Sequence, residues 1–161
     1  MTSSTNHPLG HILVPTDGSE GSLHAAAHAG ALARLGGSKV TVLVVHDLDV
    51  YALHAEGLVA WPGSAGMSTL SHADIEAQVT ERVSQPIFDK TLEALGELAH
   101  PAVCDEIWGH VAETICTYAD RNNVDLVVMG SRGRSAFAAV MLGSTSAQVL
   151  HHAPCPVTVV R

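Results

Sequence analysis

Glycine, arginine and serine crowd into the fifteen positions from Gly130 to Ser144, GSRGRSAFAAVMLGS, which follow the apolar run VDLVVM directly. Gly130 and Gly133 permit positive φ and carry no side chain, so consecutive backbone N–H groups can turn toward one anion. Gly143 and Ser144 stand where a helix is expected to open, and the first amides of a helix, with its dipole, favour negative charge. Arg132 or Arg134 would add charge-assisted contacts, and Ser144 and Thr145 would add hydroxyls toward phosphate or metal-bound water. The combination suits a phosphate chain. The residues alone leave the plainer reading open, in which the glycines turn the chain and Ser144 caps the helix. No lysine completes the Walker pattern G-x-x-x-x-G-K-[ST]. The other glycine-bearing loop, TDGSEGS, lacks the G-x-G-x-x-G spacing of a dinucleotide fingerprint.

Asp17, in PTDGSE, can serve as a helix cap or turn residue, or it can face the same ligand. His24 and His28 are four residues apart on one helix face, a spacing that can hold a metal. HAAAH lacks the glutamate of H-E-x-x-H and no third ligand is evident, which favours a solvated or packed pair. Three cysteines, Cys104, Cys116 and Cys155, are odd in number and lack C-x-x-C spacing, so they read as buried reduced thiols rather than a disulfide framework or zinc ribbon. Eleven histidines make the charge responsive to mild acid.

These residues need elements to position them. HILVP is a short apolar burst ending at a turn, which fits a buried strand delivering a loop. Ser19 or Asp17 can cap the Ala-rich helix that follows, and Gly36 and Gly37 stop it. KVTVLVVHD is a second strand. Residues 47–72 break the rhythm with scattered apolar residues, Pro62 and three glycines, and predict a long loop or insertion in which Tyr51 and Trp61 could cover a ligand or pack on a partner. Helical composition returns over 73–98, where Pro86 should limit or kink the helix. AVCDEIW is a third strand with Trp108 in core or interface, HVAETICTYADRNN a helix, VDLVVM a fourth strand, STSAQVLHHA a helix and PVTVVR a last strand. Residues 1–8 are polar and expected to fray.

The order β-α-β-α-β-α-β-α-β predicts a single doubly wound α/β domain over residues 1–161, Rossmann-like, with a five-stranded, mainly parallel sheet flanked by helices. Ligands of such sheets bind beyond the carboxyl ends of the strands, where strand order reverses. The loops after strands one, two and four become candidates together.

A chain of 161 residues suits one well-buried domain, and 47% hydrophobic residues with 4% aromatic predict an aliphatic core. The net charge of −8 argues against nucleic acid or anionic membranes as partners. No signal-peptide pattern or run of about 20 apolar residues is seen, which predicts a cytoplasmic protein.

With Gly130, Gly133, Gly143 and Ser144, the loop has the pattern G-x2-G-x9-G-[ST] and resembles the universal stress protein family. ILVPTDGSE, VDLVVMGSRG and APCPVTVV resemble its first strand and loop, its fourth strand and its terminal strand. The stretch 47–72 departs from the pattern, being longer than the family minimum. The resemblance implies an adenine nucleotide alpha hydrolase-like fold and the ATP-binding branch of the family, with ATP across the strand ends and Mg2+ beside it. Carried over, Gly130, Arg132, Gly133, Gly143, Ser144 and Thr145 would line phosphates and ribose. Asp17 would face ribose or metal, with Pro15 and Thr16 beside it. Val45 would offer its backbone to adenine, and Met129 would border the same site. A homodimer through residues 157–160 is also implied.

Three functions follow from these readings. A nucleotide-dependent regulatory or stress-response protein, with a protein partner of unknown identity, explains a cradle without a chemical apparatus. A slow ATP-hydrolysing enzyme would need a positioned metal and an oriented nucleophile. A dimeric interaction module would leave the nucleotide site vestigial.

Overall fold

The structure is a computed structural model that describes residues 9–47, 80–98, 100–133 and 142–161. The strands are β1 (His11–Pro15), β2 (Lys39–Asp47), β3 (Val103–Gly109), β4 (Leu126–Gly130) and β5 (Val157–Val160). They form one five-stranded sheet in the order β3-β2-β1-β4-β5, and every pairing is parallel. The helices are α1 (Glu20–Gly36), α2 (Gln85–Leu95), α3 (Val111–Arg121) and α4 (Ser144–His152).

Strand residues alternate between two cores, as a period of two requires. Ile12, Val14, Val42 and Val128 pack under α1 and α2 on one face, while Leu13, Leu43, Val127 and Met129 pack under α3 and α4 on the other. Both faces are covered, which is why β1, β2 and β4 read as nearly unbroken apolar runs. The chain steps outward from β1 to β3 on one side, then returns to lay β4 on the other side of β1. Strand order therefore reverses between β1 and β4.

Local chemistry sets the helix ends. Ser19 caps α1 by accepting from the Ser22 amide at 3.4 Å, and Gly37, at φ 67°, closes it through a bond to the Ala33 carbonyl. Pro86 sits in the first turn of α2, where a missing N–H costs no helical bond, so it begins that helix instead of kinking one. A π-helical turn over Thr80–Ser84 precedes it. The expected helical residues 73–79 and most of the expected loop 47–72 lie outside the described residues, as do Tyr51 and Trp61.

Small residues bring the layers close. A Cβ on Gly30 of α1 would stand 2.0 Å from the Leu95 carbonyl oxygen of α2. Arg34 of α1 donates to the same carbonyl at 2.9 Å, so both helices meet backbone to backbone. No described helix is long and apolar enough to cross a membrane.

Candidate functional site

A cleft of about 600 Å³ opens beyond the carboxyl ends of β1, β2 and β4, at the reversal of strand order. Pro15, Thr16, Asp17, Val45, Met129, Gly130, Arg132, Gly133, Gly143, Ser144 and Thr145 all border it. The sheet thus brings these eleven residues together from segments more than a hundred positions apart. Arg134, the other candidate arginine, lies outside the described residues.

The turn after β1 is held by its own side chains. The Asp17 carboxylate accepts from the Ser19 amide at 3.0 Å, and Thr16 Oγ1 accepts from the Gly18 amide at 3.2 Å. Gly18 sits at φ 75°, the left-handed region that suits glycine. Asp17 is therefore a turn residue and a cleft residue at once.

The glycine loop differs from its expected geometry. Neither Gly130 nor Gly133 has positive φ; Gly130 is required by close approach of backbone, and Gly133 leaves room for the Asp17 carboxylate. A Cβ on Gly130 would lie 2.7 Å from the carbonyl carbon of Gly21, at the start of α1. One on Gly133 would lie 2.6 Å from Asp17 Oδ2. The loop is closed at its neck, where the Gly143 amide donates to the Ser131 carbonyl at 2.8 Å and Ser131 N donates to the Val160 carbonyl at 2.7 Å.

Ser144 does not cap α4. Gly143 occupies the cap position and Ser144 is the first helical residue, because the chain leaves the neck bond already turning into the helix. No side chain caps α4; the buried Ser146 hydroxyl instead ties the helix start to the neck, within reach of the Ser131 and Gly143 carbonyls, each at 3.0 Å. Ser144 and Thr145 remain turned to the cleft rim.

Asp47, carried by the candidate loop after the second strand, also lines the cleft, and sequence reading missed Ser22, Leu43, Val111, Ile115 and Ser146. Val111 and Ile115 are one turn apart at the start of α3 on its apolar stripe, a spacing that could have marked them. Asp17 and Asp47 supply carboxylates, Arg132 supplies a guanidinium, and α1, α3 and α4 all begin near the cleft. No group of three or more potential metal ligands occurs among the described residues.

A polar cluster stands beside the cleft, at the end of β2. His46 Nε2 lies 2.9 Å from Ser84 Oγ and 3.3 Å from Glu106 Oε2, and Thr80 donates to the other carboxylate oxygen. Burial works against ionised Glu106, but hydrogen bonds from Ser84, Thr80 and His46 outweigh it and hold the carboxyl below its ordinary range. The His46 ring also packs on Trp108, with centroids 4.5 Å apart. The cluster fastens the π-helical turn to β2 and β3.

The remaining tempting residues lie elsewhere. His24 and His28 are exposed on the outer face of α1. All three cysteines are free, but Cys104 is exposed, contrary to expectation, on β3, the edge strand of the described sheet. Cys116 and Cys155 are half-buried, and burial pushes both thiols up, so they stay protonated at neutral pH.

Several solved structures share this fold. The protein MJ0577 matches with a TM-score of 0.73 and 23% identity over 95% of this chain and 96% of its own. A universal stress protein in complex with cAMP matches at 0.61 and 24%, covering 96% of this chain and 98% of its own. One from Archaeoglobus fulgidus in complex with dAMP matches at 0.60 and 17%, covering 96% and 99%. Among curated relatives, the universal stress protein MJ0531 of Methanocaldococcus jannaschii is 29% identical over 150 residues, 93% of this chain and 81% of that protein. Sll1388 of Synechocystis is 29% identical over 152 residues, 94% of this chain and 97% of its own. The model of the universal stress protein family matches residues 8–161, and the chain belongs to that family.

Proposed function

We propose that the cleft binds an adenine nucleotide, ATP with Mg2+, and that the protein is a nucleotide-dependent regulatory protein of the stress response. The observation that carries this reading is the convergence of Asp17, Gly130, Gly133 and Gly143 on one cleft at the reversal of strand order. At Gly133 the space that a side chain would take is bounded by the Asp17 carboxylate. Backbone and carboxylate are thereby presented together, as a phosphate chain with its counter-ion needs.

The cleft, at about 600 Å³, falls within the range of about 300–1,000 Å³ usual for small-molecule sites. Gly130, Arg132, Gly133, Gly143, Ser144 and Thr145 would receive the phosphates and ribose. Pro15, Thr16, Val45 and Met129 would flank the nucleoside. Mg2+ is commonly held by one or two carboxylates together with substrate phosphates, so Asp17 suffices without a protein cage. The cAMP and dAMP complexes of structural neighbours support an adenine ligand.

The test is to denature freshly purified protein, identify released nucleotide by chromatography and mass spectrometry, and titrate the stripped protein with ATP and magnesium by calorimetry. Released or saturably bound ATP is expected. Absence of both would leave the cleft vestigial and turn attention to the surface of β5, whose residues are all half-buried at the edge of the sheet.

A further inference from the structure

The wall of the cleft nearest α1 is a run of hydroxyls, of which the nucleotide reading uses only Thr16. Thr16 and Ser22 border the cleft, Thr91 lies behind them on α2, and all three are buried, Thr91 completely. Ser22 Oγ donates to the Ser19 carbonyl at 2.8 Å, Thr16 Oγ1 donates to Ser22 Oγ at 3.1 Å, and Thr91 Oγ1 donates to the Ile87 carbonyl at 2.7 Å. The Thr16 and Thr91 hydroxyl oxygens also meet, at 3.2 Å.

Each hydroxyl has one proton, and all three protons are engaged by those bonds. A Thr16–Thr91 bond forms only when one of the pair releases its other acceptor. The chain thus has alternative arrangements: Thr91 stays on Ile87 while Thr16 donates to Ser22 or to Thr91, or Thr91 turns onto Thr16, which a Thr16 proton directed at Thr91 forbids, and the Ile87 carbonyl is left to its helical bond alone.

The turn that carries Thr16 approaches α2, and the first turn of α1 that follows it approaches the glycine loop. A Cβ on Gly18 would lie 3.1 Å from Ile87 Cγ1, while one on Gly21 would lie 3.1 Å from the Arg132 carbonyl oxygen. What binds in the cleft and how α2 is held are therefore joined through a few buried atoms.

We propose that Thr91 is a positioning residue for the nucleotide site, and that the Thr16–Ser22–Thr91 chain reports occupancy of the cleft to α2. The proposal rests on the nucleotide reading. An acceptor oxygen of the ligand within reach of Thr16 takes the Thr16 proton. Thr91 then donates to Thr16, and the Ile87 carbonyl loses its side-chain donor. The ligand selects this arrangement because it interacts with one proton order and not the other.

The test follows the Ile87 carbonyl carbon by NMR in isotope-labelled full-length protein during titration with ATP and magnesium, with affinity measured in parallel by calorimetry. In the wild type the Ile87 resonance is expected to move as ATP saturates. Thr91→Val should weaken ATP binding about fivefold and abolish that movement, and Thr91→Ser should restore both. Bound ATP with an unmoved Ile87 resonance overturns the proposal, as does Thr91→Val binding ATP like the wild type. The wild-type shift needs no variant, so it decides the matter even if Thr91→Val fails to fold. If the wild type binds no ATP, the nucleotide reading has failed instead. The chain is then judged in the free protein by a double-mutant cycle of Thr16→Val and Thr91→Val in urea unfolding: coupling supports the link, and additivity overturns it.

Discussion

Gly133 lies directly against Asp17, so close that a Cβ at position 133 would stand 2.6 Å from Oδ2. The two residues are 116 positions apart in the chain and come from the loops after β4 and β1. The glycine leaves the carboxylate its place in the cleft wall while that carboxylate also accepts from the Ser19 amide.

Gly133→Ala should push the carboxylate aside. The obstructing atom is the end of a side chain that can swing away, so the fold should lose only about 1 kcal/mol. ATP affinity should fall by about tenfold or more. Thermal unfolding and calorimetric titration measure the two effects separately, and unchanged affinity would remove Gly133 from the site.

Gly130→Ala should behave in the opposite proportion. Its Cβ would meet the backbone of Gly21, with the carbonyl carbon at 2.7 Å and the oxygen at 2.8 Å, and neither can move without shifting the start of α1. Overpacking of this kind costs about 1–3 kcal/mol. Urea unfolding should show a lower midpoint with unchanged slope, larger than any loss at Gly133.

Asp17→Asn keeps an oxygen for the Ser19 amide and removes the charge. Stability should change by less than about 0.5 kcal/mol, whereas magnesium-dependent ATP binding and any turnover should drop. Equal binding with and without magnesium in the wild type, matched by the variant, would detach Asp17 from the metal.

Acid should destabilise the protein in two stages. Burial lowers the pKa of His11, reinforced by Lys39 and opposed by the Asn122 carbonyl and Asp125. The unfolded chain therefore takes up a proton that the fold resists, and stability declines as pH falls below about 6.5. Glu106, also held low, contributes stability above its unfolded value of about 4.3 and loses it as pH falls through its lower folded value. Chemical unfolding at several pH values should show His11→Gln flattening the upper stage and Glu106→Gln the lower.

β5 forms the outer edge of the sheet and presents four half-buried residues, Val157–Val160. An apolar edge of this kind favours pairing with a copy of itself. Analytical ultracentrifugation should find a homodimer, and Val159→Lys should shift it toward monomer. A wild-type monomer at high micromolar concentration would count against this arrangement.

Much of this architecture was legible in the residues because it depends on short-range physics. Unbroken Val, Leu and Ile runs can bury only inside a covered parallel sheet, and their alternation with helical segments implies crossovers. Ser19 marks a helix end through its hydroxyl, and Gly37 and Pro86 do so through their backbone chemistry. The crevice follows from topology, so the glycine loop and Asp17 could be assigned to one place before any distance was known. Packing across the chain decided the rest. Gly130 and Gly133 are glycines because α1 and Asp17 press on them, not because their φ demands it, and no local pattern encodes a neighbour so distant in sequence. The same holds for the pairing of Thr16 with Thr91 and of His46 with Ser84 and Glu106. Each is a buried or part-buried polar contact whose partner exists only once strands and helices have come together, since a hydroxyl or imidazole in the sequence carries no sign of what will face it.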